Sequence, residues 1–392
     1  LVGSEMCIRD RAGKSYLLYQ RIQQLLREEH NINEIVYINF DDERLRQMTA
    51  DDLDLILQAY HSLFDLRPLL FFDEIQNIEG WEHFARRLAN QKYNIYITGS
   101  NAKMLSREIA TTLGGRFWNK DVYPYSFAEY LNARNIILSK NWMYGKQAAE
   151  VSKAFNDYFL YGGFPELTDV IAKRVWLNDI YSKIFFSDLI VRNKVRNEEA
   201  LGLLVRRLAE NVKQPVSYTR LANLISSIGI KISKATVIEF IRYLKESCLI
   251  FPIENYAAKF AERNSNMKHY FIDNGLLSIF LLDGNTSLLE NIVAIHLYKR
   301  YGAQLHFYNQ NIEVDFIIPE AKTAIQVSYS LMDETTCRRE VEGLIKLNRV
   351  FPMDNMCIIT RDEERIITHE SGVSIHVIPV WKWLLEEELL RT

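Results

Sequence analysis

The chain has 392 residues, a formal net charge of −3 and a hydrophobic fraction of 48%. This length exceeds an ordinary single domain, so we expect two or three domains with well-formed cores. A charge so close to zero argues against an overall basic surface for nucleic acid, so any such contact needs a local patch. Its four cysteines lack metal-ligand or C-x-x-C spacing, and its apolar runs are too short to span a membrane, which predicts a cytoplasmic protein without a membrane partner.

The first third of the chain alternates between helical and extended patterns. Its predicted helices are 15–27, 51–64 and 81–90, and its predicted strands are 34–40, 69–75 and 93–100. Buried strands that alternate with helices predict an α/β domain with a parallel sheet. The run 69–75, LLFFDEI, is nearly all apolar and ends in acids, which predicts a buried strand with polar groups at its carboxyl end.

The pattern changes twice in the rest of the chain. It is helical from Phe127 to Arg196, with a break at YGGFPE. Three helix signals and an extended piece then lead to Ile253. A second α/β pattern begins near Ser287, with strands predicted at 304–308, 312–318, 323–329, 356–360 and 374–379.

Gly13, Lys14 and Ser15 stand where the first predicted helix begins. Glycine allows backbone N–H groups to approach phosphate oxygens closely, and a helix N-terminus favours anions. Lysine then contacts the β- and γ-phosphates, and the serine hydroxyl contacts Mg²⁺. Taken alone, the tripeptide is better explained as the start of an ordinary amphipathic helix.

Residues farther along the chain favour a nucleotide site. Asp73, at the end of a buried strand, is suited to holding Mg²⁺ through its water shell, and Glu74 to polarising the attacking water. The alternative is a strand that runs into an acidic turn. Ser100 or Asn101 ends the next strand and is placed to sense the γ-phosphate. Arg116 is placed to reach a phosphate in a neighbouring subunit, which predicts a homo-oligomer, although a lone arginine is more often a surface residue.

The order of these motifs resembles that of the AAA-type ATPases of bacteria and archaea that carry a C-terminal domain of unknown function. The motifs are GKS, FFDEIQNIEGWE, ITGSNAKMLS and TTLGGRFWNKDVYPYSFAEY, followed by YGGFPE, SDLIVRNKVRN, FIDNGLL, LLENIV and EVDF. The resemblance covers nearly the whole chain from Ala12. It implies binding and hydrolysis of ATP with Mg²⁺, with Lys14, Ser15, Asp73 and Glu74 in the roles above. The cellular role of this family is open.

The start of the chain departs from the family. The loop pattern G-x-x-x-x-G-K-[ST] places Ile8 where its first glycine belongs, and LVGSEMCIRDR does not read as an apolar strand. That string resembles translated sequencing adapter, which suggests the hypothesis that residues 1–11 are foreign. We therefore expect a sheet that lacks its first strand and leaves strand 93–100 with an unpaired edge. This polypeptide would then bind and hydrolyse ATP poorly, although its full-length parent would do both.

These features divide the chain into five parts. After the leader 1–11, we predict an AAA-type ATPase core at 12–126 and a helical lid at 127–197. A winged-helix-like module at 198–286 and a restriction-endonuclease-like α/β domain at 287–392 follow.

The winged-helix prediction comes from two helix signals, 216–224 and 233–247, with Ser217 as the expected cap of the first. In the functional interpretation, DNA phosphates contact four basic side chains, namely Lys231, Lys234, Arg242 and Lys245. In the other interpretation, the same fold serves packing or oligomerisation. Glu239 and Glu246 give the second helix a mixed polar face, and we weight DNA binding slightly below the alternative.

The last part resembles a restriction-endonuclease-like nuclease core. Such a core uses acids to gather Mg²⁺ and a lysine to steady the attacking water. Glu290 and Asp315 fill the first two acidic places, and Glu313 alternates with Asp315 on one face. The third motif offers only the neutral oxygen of Gln326, and Ser328 does not replace an amine. We therefore favour an inactive nuclease, or a fold kept for interaction, over an active nuclease.

Three functions follow from these patterns. The first is an ATPase switch that repositions the C-terminal modules, which would contact DNA or a protein partner. The second is a DNA-binding or DNA-processing protein with ATP-regulated access. The third is a non-enzymatic interaction protein with a degenerate nucleotide site. ATP turnover with and without DNA distinguishes them.

Overall fold

The structure of the chain is a computed structural model. It describes residues 4–7, 13–99, 111–114, 118–139, 142–143, 145–259, 263 and 265–389, with the backbone alone at 4–7, 119 and 386–389. The chain divides into two compact units. We call residues 1–124 with 246–248 the N-terminal unit, and residues 125–245 with 249–392 the C-terminal unit.

A five-stranded sheet whose neighbouring strands are all parallel forms the N-terminal unit. Its strands are Ser4–Cys7 (β1), Ile35–Asn39 (β2), Leu69–Asp73 (β3), Asn94–Gly99 (β4) and Trp118–Asn119 (β5), in the order β2-β3-β4-β1-β5. Its helices include Lys14–Arg27 (α1), Asp54–Leu63 (α2) and Trp81–Asn90 (α3). All five residues of β3 are buried, as its apolar run predicts.

The prediction that this sheet lacks its first strand is wrong. Residues Ser4–Cys7 form β1, which lies between β4 and β5 and pairs with both, Ser4 opposite Tyr96 and Trp118. Strand pairing needs an extended backbone with available N–H and C=O groups, and it does not require a long run of apolar side chains. Because β4 has a neighbour on each side, the argument from an unpaired edge to weak ATP binding no longer holds.

The two faces of the sheet carry separate apolar cores. Phe72 and Ile97 belong to a core that includes α3, whereas Phe71 and Tyr96 pack with α1 through Leu18. The rings of Phe71 and Tyr96 stack with their centroids 4.5 Å apart. Successive strand residues point to opposite faces, so the buried strands need apolar residues at every position. The packing of Leu18 fixes α1 against the sheet.

The C-terminal unit begins with helices. These are Phe127–Ala133 (α4), Lys146–Tyr161 (α5), Lys173–Lys183 (α6, continued as a π-helix over Ile184–Val191), Glu198–Glu210 (α7), Tyr218–Ser226 (α8) and Lys234–Glu246 (α9). Ser217 caps α8 as predicted, because its side chain accepts a hydrogen bond from the Arg220 N–H at 3.2 Å. Among the helices that the structure describes, none is both long enough and apolar enough to cross a membrane.

A nine-stranded mixed sheet follows. Its strands are Val216–Ser217 (β6), Ile250–Asn255 (β7), Asn266–Phe271 (β8), His306–Asn309 (β9), Glu313–Ile318 (β10), Thr323–Val327 (β11), Asn355–Thr360 (β12), Arg365–Thr368 (β13) and Ser374–Pro379 (β14). Helices Asn274–Ser278 (α10), Asn285–Tyr301 (α11), Glu334–Val350 (α12) and Val380–Leu389 (α13) lie between or after them. The strand order is β13-β14-β12-β11-β10-β9-β7-β8-β6. Because β7 pairs with β9, strands on both sides of residue 287 share one sheet.

The motifs YGGFPE and FIDNGLL meet at one packed junction. The Asp273 carboxylate accepts hydrogen bonds from the Gly163 and Gly275 N–H groups, both at 2.8 Å. A Cβ at Gly163 would lie 2.2 Å from the Tyr125 carbonyl oxygen, and one at Gly275 would lie 2.1 Å from the Tyr161 carbonyl oxygen. These glycines are required because the backbones approach so closely. Both motifs therefore have a structural role here.

Candidate functional site

The N-terminus of α1 holds a buried lysine. Gly13 precedes it in the left-handed region at φ +94°, which glycine adopts most readily. Lys14 is 4% exposed, and its Nζ lies 2.7 Å from Glu74 Oε1. Within the described part of the chain, Nζ has no aligned hydrogen-bond acceptor, so this contact is an ion pair rather than a directed hydrogen bond. An ammonium group has three donors, and Lys14 therefore retains capacity for a further anion.

Asp73 is held by hydroxyl groups from both neighbouring strands. Its carboxylate is buried; Oδ2 accepts a hydrogen bond from the Tyr37 hydroxyl at 2.8 Å, and Oδ1 accepts one from the Thr98 hydroxyl. Burial, with hydrogen bonds to Tyr19 and Asp73, raises the pKa of Tyr37 far above its usual range, so Tyr37 stays protonated. Sequence reasoning missed Tyr37 and Thr98, although both are polar residues near the carboxyl ends of buried strands.

Glu74 turns away from β3 toward α1. Its backbone lies in the left-handed region at φ +53°, which is unusual for a residue with a side chain. Its N–H donates to Thr98 Oγ1 at 3.2 Å, and its Oε2 accepts from Gln76 Nε2 at 2.5 Å. This turn separates the two adjacent acids: Asp73 stays buried in the sheet, while Glu74 faces Lys14.

The structure describes only part of the predicted nucleotide site. Gly13, Lys14, Asp73 and Glu74 come together at the carboxyl edge of the sheet, and Ser15 is half-buried in the first turn of α1. Ser100, Asn101 and Arg116, like Ile8, lie outside the described residues. The γ-phosphate sensor and the arginine shared between subunits therefore stay predictions.

The predicted DNA contacts lie in and just before α9. Lys234, Arg242 and Lys245 lie along one face of this helix, Lys231 precedes it, and all four side chains are exposed. Arg242 is 3.9 Å from the Glu239 carboxylate. A basic face is thus available on α9, although Glu239 offsets one of its charges.

Glu290 on α11 and Asp315 on β10 meet at a third side chain that sequence reasoning missed. Lys268 on β8 is fully buried, and its Nζ donates to Glu290 Oε1 and to Asp315 Oδ1, each at 3.1 Å. The Tyr270 hydroxyl also donates to Glu290 Oε1, at 2.7 Å. Burial raises the pKa of Glu290 to about 7, against the opposing effect of Lys268. A lysine within the apolar strand KHYF was the available signal.

The side chain of Gln326 replaces backbone hydrogen bonds at the point where β10 and β11 separate. The ladder pairs Phe316 with Ile325 and ends there. Beyond it, Gln326 Oε1 accepts from the Asp315 N–H at 2.9 Å, and Gln326 Nε2 donates to the Glu313 carbonyl oxygen at 3.0 Å. Both ends of this amide are therefore engaged with β10. This geometry explains a glutamine here without a metal ion.

The separated strands open onto a cavity of about 530 Å³ within the C-terminal unit. Its lining includes Glu290, Glu313, Asp315, Gln326 and Ser328. Despite these acids, the described residues contain no group of three or more His, Cys, Asp or Glu side chains arranged to hold a metal ion. The predicted acids are thus adjacent, but their carboxylates converge on an ammonium group.

Two parts of the chain match the models of known protein families. Residues 9–131 match the model of a family described as an AAA domain. Residues 152–287 match a second model, described as a domain of unknown function (DUF8612). The first match contains the predicted nucleotide site, and the second contains α6 to α10.

Among solved structures, the chain is similar to the Walker-type ATPase PABY2304 of Pyrococcus abyssi, with 15% identity over 71% of this chain and 90% of that chain and a TM-score of 0.45. It is also similar to the Orc1 protein of Aeropyrum pernix, solved in complex with DNA, with 13% identity over 71% of this chain and 85% of that one and a TM-score of 0.29.

Similarity to whole proteins is stronger. The uncharacterized protein MJ1544 of Methanocaldococcus jannaschii is 34% identical over 96% of this chain and 86% of that protein. An uncharacterized protein of Haemophilus influenzae is 30% identical over 96% of this chain and 92% of that protein. The chain therefore belongs to the family of these two proteins, and its residues 9–131 match an AAA domain.

Proposed function

We propose that the protein is an ATP-binding ATPase of the cytoplasm whose nucleotide site contains Gly13, Lys14, Ser15, Asp73 and Glu74. The burial of Lys14 at the start of α1 carries this proposal, because its ammonium group has one ion-pair partner and no aligned hydrogen-bond acceptor in the described region. Leaving the donors of a buried ammonium group without an aligned acceptor is costly unless an anion can supply one. A nucleotide phosphate at a helix N-terminus is such an anion.

Asp73 and Ser15 are the residues that would hold Mg²⁺. Both supply oxygen atoms, the ligands that Mg²⁺ prefers, and Asp73 is fixed by Tyr37 and Thr98 on either side. Bound Mg²⁺ would supply positive charge that offsets the charge developing on the phosphates. Asp73 contributes a carboxylate that its two hydroxyl partners prevent from turning.

Glu74 is proposed as the residue that orients and polarises the attacking water. In this structure its carboxylate is paired with Lys14 at 2.7 Å and faces the ammonium group rather than water. When Lys14 contacts phosphate instead, Glu74 is released toward water. Nucleotide binding then also frees Glu74 to act on water, because the Lys14 ammonium group that contacts phosphate is the one that held Glu74.

We further propose that nucleotide binding acts as a switch for the rest of the chain, divided as 12–126, 127–197, 198–286 and 287–392. The order α7, β6, α8, α9 and the hairpin β7–β8, with β6 paired to β8, supports the winged-helix interpretation of 198–286. The order α11, β9, β10, β11, α12, β12 supports the nuclease-like interpretation of the last part. Arg116 supports a homo-oligomer with shared sites.

Titration of the nucleotide-free chain with a fluorescent ATP analogue, together with ATP turnover, tests the proposal. The wild-type chain should bind the analogue, and Lys14→Met should lose that binding. Lys92→Met, which removes an exposed lysine of the same unit, is the matched control. Equal binding by the wild type and Lys14→Met would exclude this site. Absence of turnover in a chain that binds would instead favour the interaction protein with a degenerate site.

The exposed basic face of α9 favours a second candidate function, ATP-regulated binding or processing of DNA. DNA binding through phosphates weakens steeply as salt rises. Replacing Lys234, Arg242 and Lys245 by glutamine should then weaken DNA binding and flatten its salt dependence. DNA-stimulated ATP turnover would support this candidate, whereas turnover that ignores DNA would favour a protein partner for the switch.

A further inference from the structure

Lys268 lies where the carboxylates of Glu290 and Asp315 converge in the C-terminal unit. Its side chain has no exposed area, and Nζ is 3.1 Å from both Glu290 Oε1 and Asp315 Oδ1. Glu290 and Asp315 are themselves only 5% and 13% exposed. The positive charge that both acids contact is therefore part of the polypeptide.

Several other polar groups next to Glu290 and Asp315 also make hydrogen bonds within the protein. Asp315 Oδ2 accepts a hydrogen bond from the Val327 N–H at 3.0 Å, so both oxygens of this carboxylate have donors. Glu290 Oε1 accepts from Lys268 and from Tyr270. The Gln326 amide is bonded to the backbone of β10 at both ends. These contacts direct Glu290 Oε1 and both oxygens of Asp315 toward donors of the protein.

A divalent cation does not fit this arrangement. The nuclease-like fold implies Mg²⁺ between these acids, but an ammonium group already lies there, and a second cation would be repelled by it. The Lys268 Nζ lies 3.1 Å from each carboxylate, so the position between the acids is filled by an amine of the polypeptide.

We infer that Lys268 is the resident cation of the Glu290–Asp315 pair and replaces the divalent ion of the nuclease-like fold. The cavity beside Lys268 is then a site that holds no divalent metal ion. The nuclease core has a lysine amine where this chain has Ser328. Here Lys268 on β8 supplies an amine instead, and it pairs with Glu290 and Asp315 rather than assisting a bound metal ion. This inference concerns the C-terminal unit and does not depend on the proposed nucleotide site.

Counting bound Mn²⁺ tests the inference. Electron paramagnetic resonance measures free Mn²⁺ directly, and the sample is the 392-residue chain prepared without nucleotide. Wild type and Asp315→Asn should bind the same number of ions, because the pair holds none. Lys268→Met should gain about one Mn²⁺ per chain, and Lys268→Met with Asp315→Asn should lose it again. Any ion bound near Asp73 is common to all variants.

The matched control is Lys322→Met, which removes a surface lysine 3.4 Å from Asp354 and should gain no ion. One fewer Mn²⁺ in Asp315→Asn than in the wild type would overturn the inference, because the native pair would then hold a metal. A folded Lys268→Met that gains no ion would also overturn it. If Lys268→Met does not fold, the comparison of wild type with Asp315→Asn decides alone.

Discussion

Lys14 and Lys268 are both buried lysines that face carboxylates, but they differ in the number of partners. Lys14 has Glu74 at 2.7 Å and no aligned acceptor in the described region, whereas Lys268 donates to two acids at 3.1 Å. Lys14 begins a helix, and Lys268 lies within a sheet strand. Lys14 can exchange Glu74 for another anion, whereas the charge of Lys268 is already balanced by two acids. Pairing geometry, more than burial, separates the lysine proposed to bind phosphate from the lysine that is held by two acids.

The largest effect is expected at Glu74. Glu74→Gln keeps the shape of the side chain but removes its capacity to accept a proton. ATP turnover should fall by about 10²–10⁴-fold, the usual range for loss of a general base. Glu79→Gln removes an exposed carboxylate five residues farther along and should leave turnover unchanged. Normal turnover in Glu74→Gln would remove this residue from the proposed chemistry.

Lys268→Met should destabilise the C-terminal unit by about 3–5 kcal/mol, because two buried carboxylates lose their counter-charge. Hydrogen exchange of the β8 amides in the full chain measures this loss locally. Adding Asp315→Asn should restore part of the protection, since one of the two unpaired charges is then absent. Protection in Lys268→Met equal to that of the wild type would show that the ion pairs contribute little.

Gly163→Ala should cost about 1–3 kcal/mol or more, because the new Cβ would lie 2.2 Å from the Tyr125 carbonyl oxygen. Gly202→Ala is the matched control. Its Cβ would meet nothing closer than Phe185 at 3.6 Å, and alanine suits the interior of α7 better than glycine. Thermal unfolding should therefore shift downward in the first variant and stay level or rise in the second.

A pH dependence of stability is expected at Glu290. Its pKa is raised by burial to about 7 from an ordinary value of 4.5, so between these pH values the folded state holds a proton that the unfolded state has released. The stability of the C-terminal unit should therefore fall as pH rises through this window. Glu290→Gln should flatten that slope in denaturant titrations made at several pH values. A slope that persists unchanged in the variant would assign it to other groups.

Features that depend on local sequence were predictable. The buried strand β3 was evident from its apolar run, and the Ser217 cap from its place before a helical pattern. The residues at the start of α1 and the end of β3 were identified because a parallel sheet brings its carboxyl ends to one edge. Glu290 and Asp315 were likewise identified from their order along the chain.

Features that depend on distant contacts were not predictable. Lys268 meets acids 22 and 47 residues away, and Tyr37 meets Asp73 across 36 residues. A local pattern can mark Lys268 or Tyr37 as a polar residue in a buried strand, but it does not indicate which distant residue it meets. β1 was missed for a different reason, because its four residues are too few to show a strand pattern and its pairing uses the backbone. The role of Gln326 was missed because it follows from the separation of β10 and β11.

The affinity of Glu74→Gln for a fluorescent ATP analogue tests most directly whether Lys14 exchanges its partner. In the wild type the ion pair with Glu74 must be given up when phosphate binds, and in the variant it is absent. The dissociation constant of Glu74→Gln should therefore be about two- to tenfold lower than that of the wild type. A dissociation constant equal to or higher than that of the wild type would contradict the exchange.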